Sequence, residues 1–204
     1  MHLTPTQDEV VALLRDTGAL RDGHFEAPDG LHSNEYLQLP LALRHYQIHK
    51  TLSVGLARLL RANPEIRAIT PELSIVTPIV GGLPVAFGVC EALRAKRVYW
   101  AERDNANESL RFRQFLSPEK GEQVVIVDDI LRTGRKLSEL KALLESNGAE
   151  IVGLAVVIYQ PFPNCATFGN LPLYYLAKLE ARYAVNSSDC EWCKSDVPLI
   201  KTWI

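Results

Sequence analysis

The chain has 204 residues, 47% of them hydrophobic and 23% charged, and its 22 Lys or Arg against 24 Asp or Glu give a formal charge of −2. That is the composition of one soluble globular domain. It excludes a disordered chain, a collagen-like fibre, a coiled coil and a protein that holds nucleic acid by bulk positive charge. No apolar run reaches the ~18 residues of a membrane span. The first residues lack the basic start and apolar stretch of a secretory leader. Four cysteines are too few for a disulfide scaffold. The expected setting is the cytoplasm, with neither membrane nor nucleic acid as partner.

Thr6 and Glu9 form a capping-box pattern, and Val10, Val11, Leu13 and Leu14 form an apolar stripe that Gly18 ends. They predict a helix over 6–17. Residues 19–43 read as irregular, with a short strand at 36–39. A second helix is expected over 46–61, with Ile48, Leu52, Leu56, Leu59 and Leu60 on one face and Asn63-Pro64 as its stop. Residues 73–77 read as a buried strand, followed by the turn Pro78 to Gly82 and a helix to about Leu93. Further strands are expected at 97–101, 123–127 and 151–158, with a helix over 135–147 that Gly148 ends. Continuous apolar strands alternating with helices mean a parallel sheet covered on both faces. The loop 102–122 is long enough for a lid or a small hairpin. After Gln160 the chain reads as peripheral.

In an open parallel sheet, ligands bind beyond the carboxyl ends of the strands. Three segments fall there: Thr77 to Gly82, Glu102-Arg103, and Asp128 to Lys136. The last delivers two adjacent carboxylates, then Thr133 and Gly134, then a helix N-terminus. Backbone N–H groups at such a turn cradle a phosphate, and the helix dipole favours the anion. Carboxylates beside a phosphate cradle suit a sugar phosphate, since they accept hydrogen bonds from its vicinal hydroxyls. A plain strand end followed by a helix entry is the competing reading. Residues 94–136 also hold ten Lys or Arg against seven Asp or Glu, so a basic segment lies inside a slightly acidic chain.

The stretch Val124 to Gly134 resembles the phosphoribosyl-diphosphate motif of type I phosphoribosyltransferases. Thr17 to Phe25 and Gly30 to Gln38 resemble the amino-terminal hood of the orotate phosphoribosyltransferases. Pro78 to Gly82 is similar to their diphosphate-binding loop, and Ala101 to Asn105 with Leu110 to Phe115 to their mobile loop. Cys190 to Lys194 and Val197-Pro198 match a tail seen in one branch. The resemblance spans nearly the whole chain in order. It implies an α/β fold with a central, mostly parallel sheet, flanking helices, and a small hood from the N-terminal segment and C-terminal tail. A single domain over 1–204 is expected, with the hood at about 1–45, the core at about 46–160 and a peripheral tail at about 161–204.

The resemblance also implies a reaction: transfer of ribose 5-phosphate from phosphoribosyl diphosphate to a nitrogenous base, with orotate the family default. Asp128 and Asp129 would hold the ribose hydroxyls and, mostly through substrate, Mg²⁺. Leu131, Arg132, Thr133, Gly134, Arg135 and Lys136 would hold the 5-phosphate, and Gly81 and Gly82 the diphosphate. Arg103, with Arg111 or Arg113, would neutralise the leaving diphosphate on loop closure. Phe25, Tyr36 and Gln160 are candidates for contact with the base. A homodimer is implied, with the mobile loop reaching the neighbouring site.

Four positions depart from the family pattern. The turn reads Arg132-Thr-Gly-Arg-Lys136 where small hydroxyl residues are usual. Tyr159-Gln160 stands where orotate enzymes carry Asp-Arg, whose Arg contacts orotate. The mobile loop has no lysine before Lys120. Asp29 adds an acid near the base. The second and fourth departures favour a base other than orotate, while a cation supplied from elsewhere would restore orotate. Both readings stay open, as does a non-catalytic nucleotide sensor on the same fold. A dinucleotide-dependent oxidoreductase is disfavoured, because no G-x-G-x-x-G follows an early strand.

Cys190 and Cys193 form a single CxxC, whereas a zinc site needs about four ligands. They are read as partly buried thiols unless the fold brings Cys90, Cys165 or a histidine near. The five histidines, of which only His45 and His49 have i,i+4 spacing, read as surface or interface residues. Trp100 reads as packing.

Overall fold

The computed structural model describes residues 4–27, 30–105 and 108–202. Helix α1 (Gln7–Asp16) starts on the expected capping box, in which the Thr6 side chain accepts from the Glu9 N–H and the Glu9 carboxylate accepts from the Thr6 N–H. A hairpin follows, β1 (Leu20–Glu26) and β2 (His32–Leu37), and then the short α2 (Pro40–Leu43). Helix α3 (Tyr46–Ala62) ends at Asn63, which caps α4 (Pro64–Ile69). The core then alternates as the apolar runs predict: β3 (Ser74–Pro78), α5 (Gly82–Leu93), β4 (Arg97–Ala101), β5 (Gln123–Leu131), α6 (Arg135–Ser146) and β6 (Glu150–Tyr159). The last elements are β7 (Leu173–Lys178), β8 (Tyr183–Ala184), α7 (Glu191–Lys194) and β9 (Leu199–Lys201).

Strands β4-β3-β5-β6-β7 form one parallel sheet in that order. Its strands point alternate side chains into two cores. Val125 and Val127 pack toward α1, α3 and α5, while Val124 and Ile126 pack toward α6. Such burial on both faces is why the strands read as continuous apolar runs. From β3 the chain turns outward to β4, then crosses back to β5 on the other side of β3. The junction between β3 and β5 is therefore a topological switch point, where a crevice opens beyond the strand ends.

A second sheet, β8-β2-β1-β9, forms the hood from both ends of the chain. Antiparallel β1 and β2 carry a register shift between Asp22 and Phe25, and β9 runs parallel to β1.

Three expectations need correction. Residues 19–43, expected to be mostly irregular, contain the β1–β2 hairpin. The bulge, Gly23 and several Asp, Glu and Asn residues break the alternation that would have marked it. The tail after Gln160 is not wholly peripheral, because β7 completes the core sheet beside β6. Finally, β5 runs through the acidic pair to Leu131 instead of ending at Val127, held by β6 alone once β3 has left it.

Candidate active site

The acidic pair sits where β5 parts from β3. Asp128 is buried against the β3 loop, and each carboxylate is held by the next backbone N–H. The Asp129 N–H donates to Asp128 Oδ1 at 2.9 Å, and the Ile130 N–H donates to Asp129 Oδ1 at 2.9 Å. Burial pushes the Asp128 carboxyl well above the usual carboxylate range, and the neighbouring charge of Asp129 pushes it further, while the Lys136 ammonium pulls it back. Residues 78–82 lie directly over the pair. A Cβ added at Gly81 would stand 2.5 Å from Asp129 Oδ2, and one at Gly82 would stand 2.6 Å from Asp128 Oδ1. These two glycines are required by space.

Below the pair the chain makes the turn 132–134. Gly134 takes φ 73° as the N-cap of α6, a left-handed conformation that favours glycine, and it brings no side chain to cap the helix. The Thr133 hydroxyl accepts from the Arg135 N–H at 3.3 Å. The turn and the acids line a cavity of about 400 Å³ with Ala27 and Phe162, open to the first N–H groups of α6. Among the described residues Arg135 and Lys136 form no ion pair, and both border the cavity, where the Lys136 charge acts on Asp128.

Arg132 borders the same cavity but commits its side chain differently. Its guanidinium turns toward the hood, with Nε donating to Gln160 Oε1 at 2.9 Å and Nη2 to the Leu37 carbonyl at 3.0 Å. The Gln160 amide in turn donates to Glu35 Oε2 at 3.3 Å. Burial raises the Glu35 carboxyl, with the charge of Asp22 adding to it. Burial also pushes the Tyr183 hydroxyl up to about 12, although Arg132 opposes this. Phe162 meets the Tyr183 ring edge-on at 4.5 Å, and Phe25 packs against Tyr36 at 5.5 Å. Phe25 is thus buried under Tyr36, leaving Tyr36 the more accessible of the two. The structure joins Tyr36, Arg132 and Gln160 in one corner and adds Glu35, Phe162 and Tyr183. None of these three carries a local sequence motif, because the fold alone brings them together.

Within the loop 102–122, Glu102 and Arg111 form an isolated antiparallel bridge. The loop's arginines are committed to acids. Arg103 pairs with Glu139 of α6 at 2.6 Å, Arg111 with Asp104, and Arg113 with Glu102. Arg103 does not line the cavity with the acidic pair. Five of the ten cations read over 94–136 are therefore paired with acids, and of the others Arg132, Arg135 and Lys136 border the cavity. Trp100 packs on Phe87 as expected, with rings 6.3 Å apart. Asp29 lies outside the described residues.

The raised carboxyls fix a pH dependence. Asp128 and Glu35 bind protons more tightly folded than unfolded, so the stability of the unliganded protein falls as pH rises from the ordinary carboxylate range through their folded values. Thermal unfolding of Asp128→Asn across that range is expected to lose much of this slope. An unchanged slope would contradict the placement of Asp128.

A strand-borne acidic pair, a glycine-led turn into a helix and a glycine loop above them meet at the switch point, and comparison with known proteins gives the class of this arrangement as a type I phosphoribosyltransferase. A family model described as phosphoribosyl transferase domain matches residues 68–163. The chain is 32% identical over 197 residues to the orotate phosphoribosyltransferase of Pelotomaculum thermopropionicum, covering 96% of both chains. It is 30% identical over 193 residues to that of Carboxydothermus hydrogenoformans, covering 95% of both. The chain belongs to the orotate phosphoribosyltransferase family. The fold agrees. The crystal structure of orotate phosphoribosyltransferase from Aeropyrum pernix matches with a TM-score of 0.67 at 21% identity, over 83% of this chain and 93% of that one. The Mycobacterium tuberculosis enzyme in complex with inorganic phosphate matches with a TM-score of 0.61 at 20% identity, over 85% and 95%.

Proposed function

We propose that the protein transfers ribose 5-phosphate between phosphoribosyl diphosphate and orotate. The observation that carries the choice of base is Arg132. The guanidinium that the family pattern implies beside the base is missing at Gln160, and the Arg132 guanidinium, hydrogen-bonded to Gln160, supports its replacement from the neighbouring turn. Its Nη edge suits a carboxylate on the base, which a guanidinium grips as a fork. Tyr36, Phe162 and Tyr183 offer aromatic surface beside it.

The chain's own groups then divide the work. Backbone N–H groups at the start of α6, with Arg135 and Lys136, hold the 5-phosphate. Asp128 and Asp129 accept from the ribose hydroxyls and face the positive charge that develops as the C1–O bond breaks. The backbone of the Gly81-Gly82 loop approaches the diphosphate. Arg103 reaches a diphosphate only by leaving Glu139. The oxygen-only donors at Asp128 and Asp129 fit a hard cation such as Mg²⁺. Bound there through substrate, Mg²⁺ would offset the charge of the leaving diphosphate. A homodimer is supported by exposed Tyr46 and Phe87, near a cavity of about 370 Å³ between α3 and α5. The described cysteines form no disulfide, which suits the cytoplasm.

The test compares orotate with uracil, which lacks the carboxylate. Wild type is expected to prefer orotate, and Arg132→Gln to cut kcat/KM for orotate by about 10²-fold or more, the scale for a group that pairs with a buried charge. Efficient transfer to a purine or to uracil, with orotate inert, would overturn the choice of base.

A further inference from the structure

One expectation is reversed in the hood. His24 and His32 are not surface residues but are 1% and 4% exposed. Both also lie beside the lone CxxC. His24 from β1, His32 from β2, Cys190 and Cys193 place one ligand atom each within 4.8 Å of all the others. We propose that these four residues bind one zinc ion, a closed structural site separate from the catalytic acids.

The distances argue for it. Around a tetrahedral zinc with Zn–S near 2.3 Å and Zn–N near 2.0–2.1 Å, a sulfur and a nitrogen lie about 3.6 Å apart and two nitrogens about 3.3 Å apart. Cys190 Sγ is 3.4 Å from His24 Nε2, and Cys193 Sγ is 3.6 Å from His24 Nε2 and 3.4 Å from His32 Nδ1. The two ring nitrogens are 2.9 Å apart, closer than two zinc-bound nitrogens, so metal binding would part the rings by a few tenths of an ångström.

Hydrogen bonding alone explains this poorly. His24 Nδ1 lies 2.9 Å from the Val197 carbonyl, which can only accept, so the ring proton sits on Nδ1. Nε2 then has one lone pair, and His32 Nδ1 and both sulfurs crowd around it. A cation satisfies all of them at once, and the Nδ1–H···O=C bond is the usual outer support of a metal-bound histidine. Two thiolates and two neutral imidazoles balance Zn²⁺, so the buried cluster carries no net charge.

The fold also needs a clasp here. None of the residues in α7 is buried, and all three residues of β9 are exposed. Apolar burial therefore holds the tail weakly, yet β9 pairs with β1 and completes the hood sheet. Zinc would fasten the tail to the two strands that carry Phe25, Glu35 and Tyr36, and so stiffen the base corner from behind.

Protein made in zinc-supplemented medium and purified without chelator should carry about one zinc per chain by elemental analysis. Cys193→Ser and His32→Ala should each lose most of it, while Asp129→Asn, which alters the catalytic acids, should keep it. Because a ligand variant can misfold, wild type provides a second readout. Stripping its metal should expose residues 187–202 to limited proteolysis, and zinc alone should restore protection. Zinc-replete wild type with almost no bound metal, a Cys190–Cys193 disulfide in the freshly purified protein, or full zinc in Cys193→Ser would each overturn the site. None of these readouts depends on transfer activity.

Discussion

Asp129→Asn is expected to lower kcat/KM for phosphoribosyl transfer by about 10²–10³-fold, the usual scale for losing one group aimed at transition-state charge, while the melting temperature of the unliganded protein rises. Both effects have one cause. Asp128 is buried, and the charge of Asp129 pushes its carboxyl further above the ordinary range. Two like charges held together cost stability, and the cost persists because the ribose and its developing positive charge repay it on binding. Asn keeps the Oδ1 that accepts from the Ile130 N–H, so the local backbone is undisturbed. Steady-state kinetics and thermal unfolding on one preparation check both halves. Retained activity would remove the acidic pair from the chemistry, and a lower melting temperature would contradict the electrostatic account.

Gly82→Ala should disable the site by crowding alone. Alanine is the better helix former by about 1 kcal/mol. At Gly82, however, a Cβ would meet Asp128 Oδ1 at 2.6 Å, the Asp128 Cα at 3.2 Å and the Thr77 hydroxyl. The Cα belongs to β5 and cannot swing aside. Overpacking of this kind costs about 1–3 kcal/mol, so the clash outweighs the gain in propensity. Displacing the acids by a fraction of an ångström to an ångström should then cost roughly 10²-fold in kcat/KM. Denaturant unfolding with kinetics measures both, and a variant as stable and active as wild type would show that the loop does not press on the acidic pair.

The core was legible in the sequence where physical signals are local. Val124 to Val127 is buried on both faces, so its apolar run marks a parallel strand without reference to anything distant. The Thr6–Glu9 box and Gly134 at the start of α6 are likewise local rules that the fold obeys. What was illegible depends on partners remote in the chain. Residues 20–26 and 32–37 become strands by pairing with each other and with β8 and β9 from the opposite terminus. Arg132 reads as a phosphate ligand from its place in the turn, yet its side chain reaches Gln160 and Leu37 across the strand ends. Arg103 reads as a loop cation and is paired with Glu139 on a helix 36 residues away. His24 and His32 have no ligand spacing with the CxxC, because the chain closes the cluster over more than 150 residues.

Diphosphate release from phosphoribosyl diphosphate, measured with Mg²⁺ and orotate, tests the central claim most directly, since it separates a transferase from a sensor that only binds. The expected result is diphosphate formed in step with orotidine 5′-phosphate, dependent on orotate and lost in Asp129→Asn. Tight binding of phosphoribosyl diphosphate with no diphosphate released for orotate or any other base would contradict it.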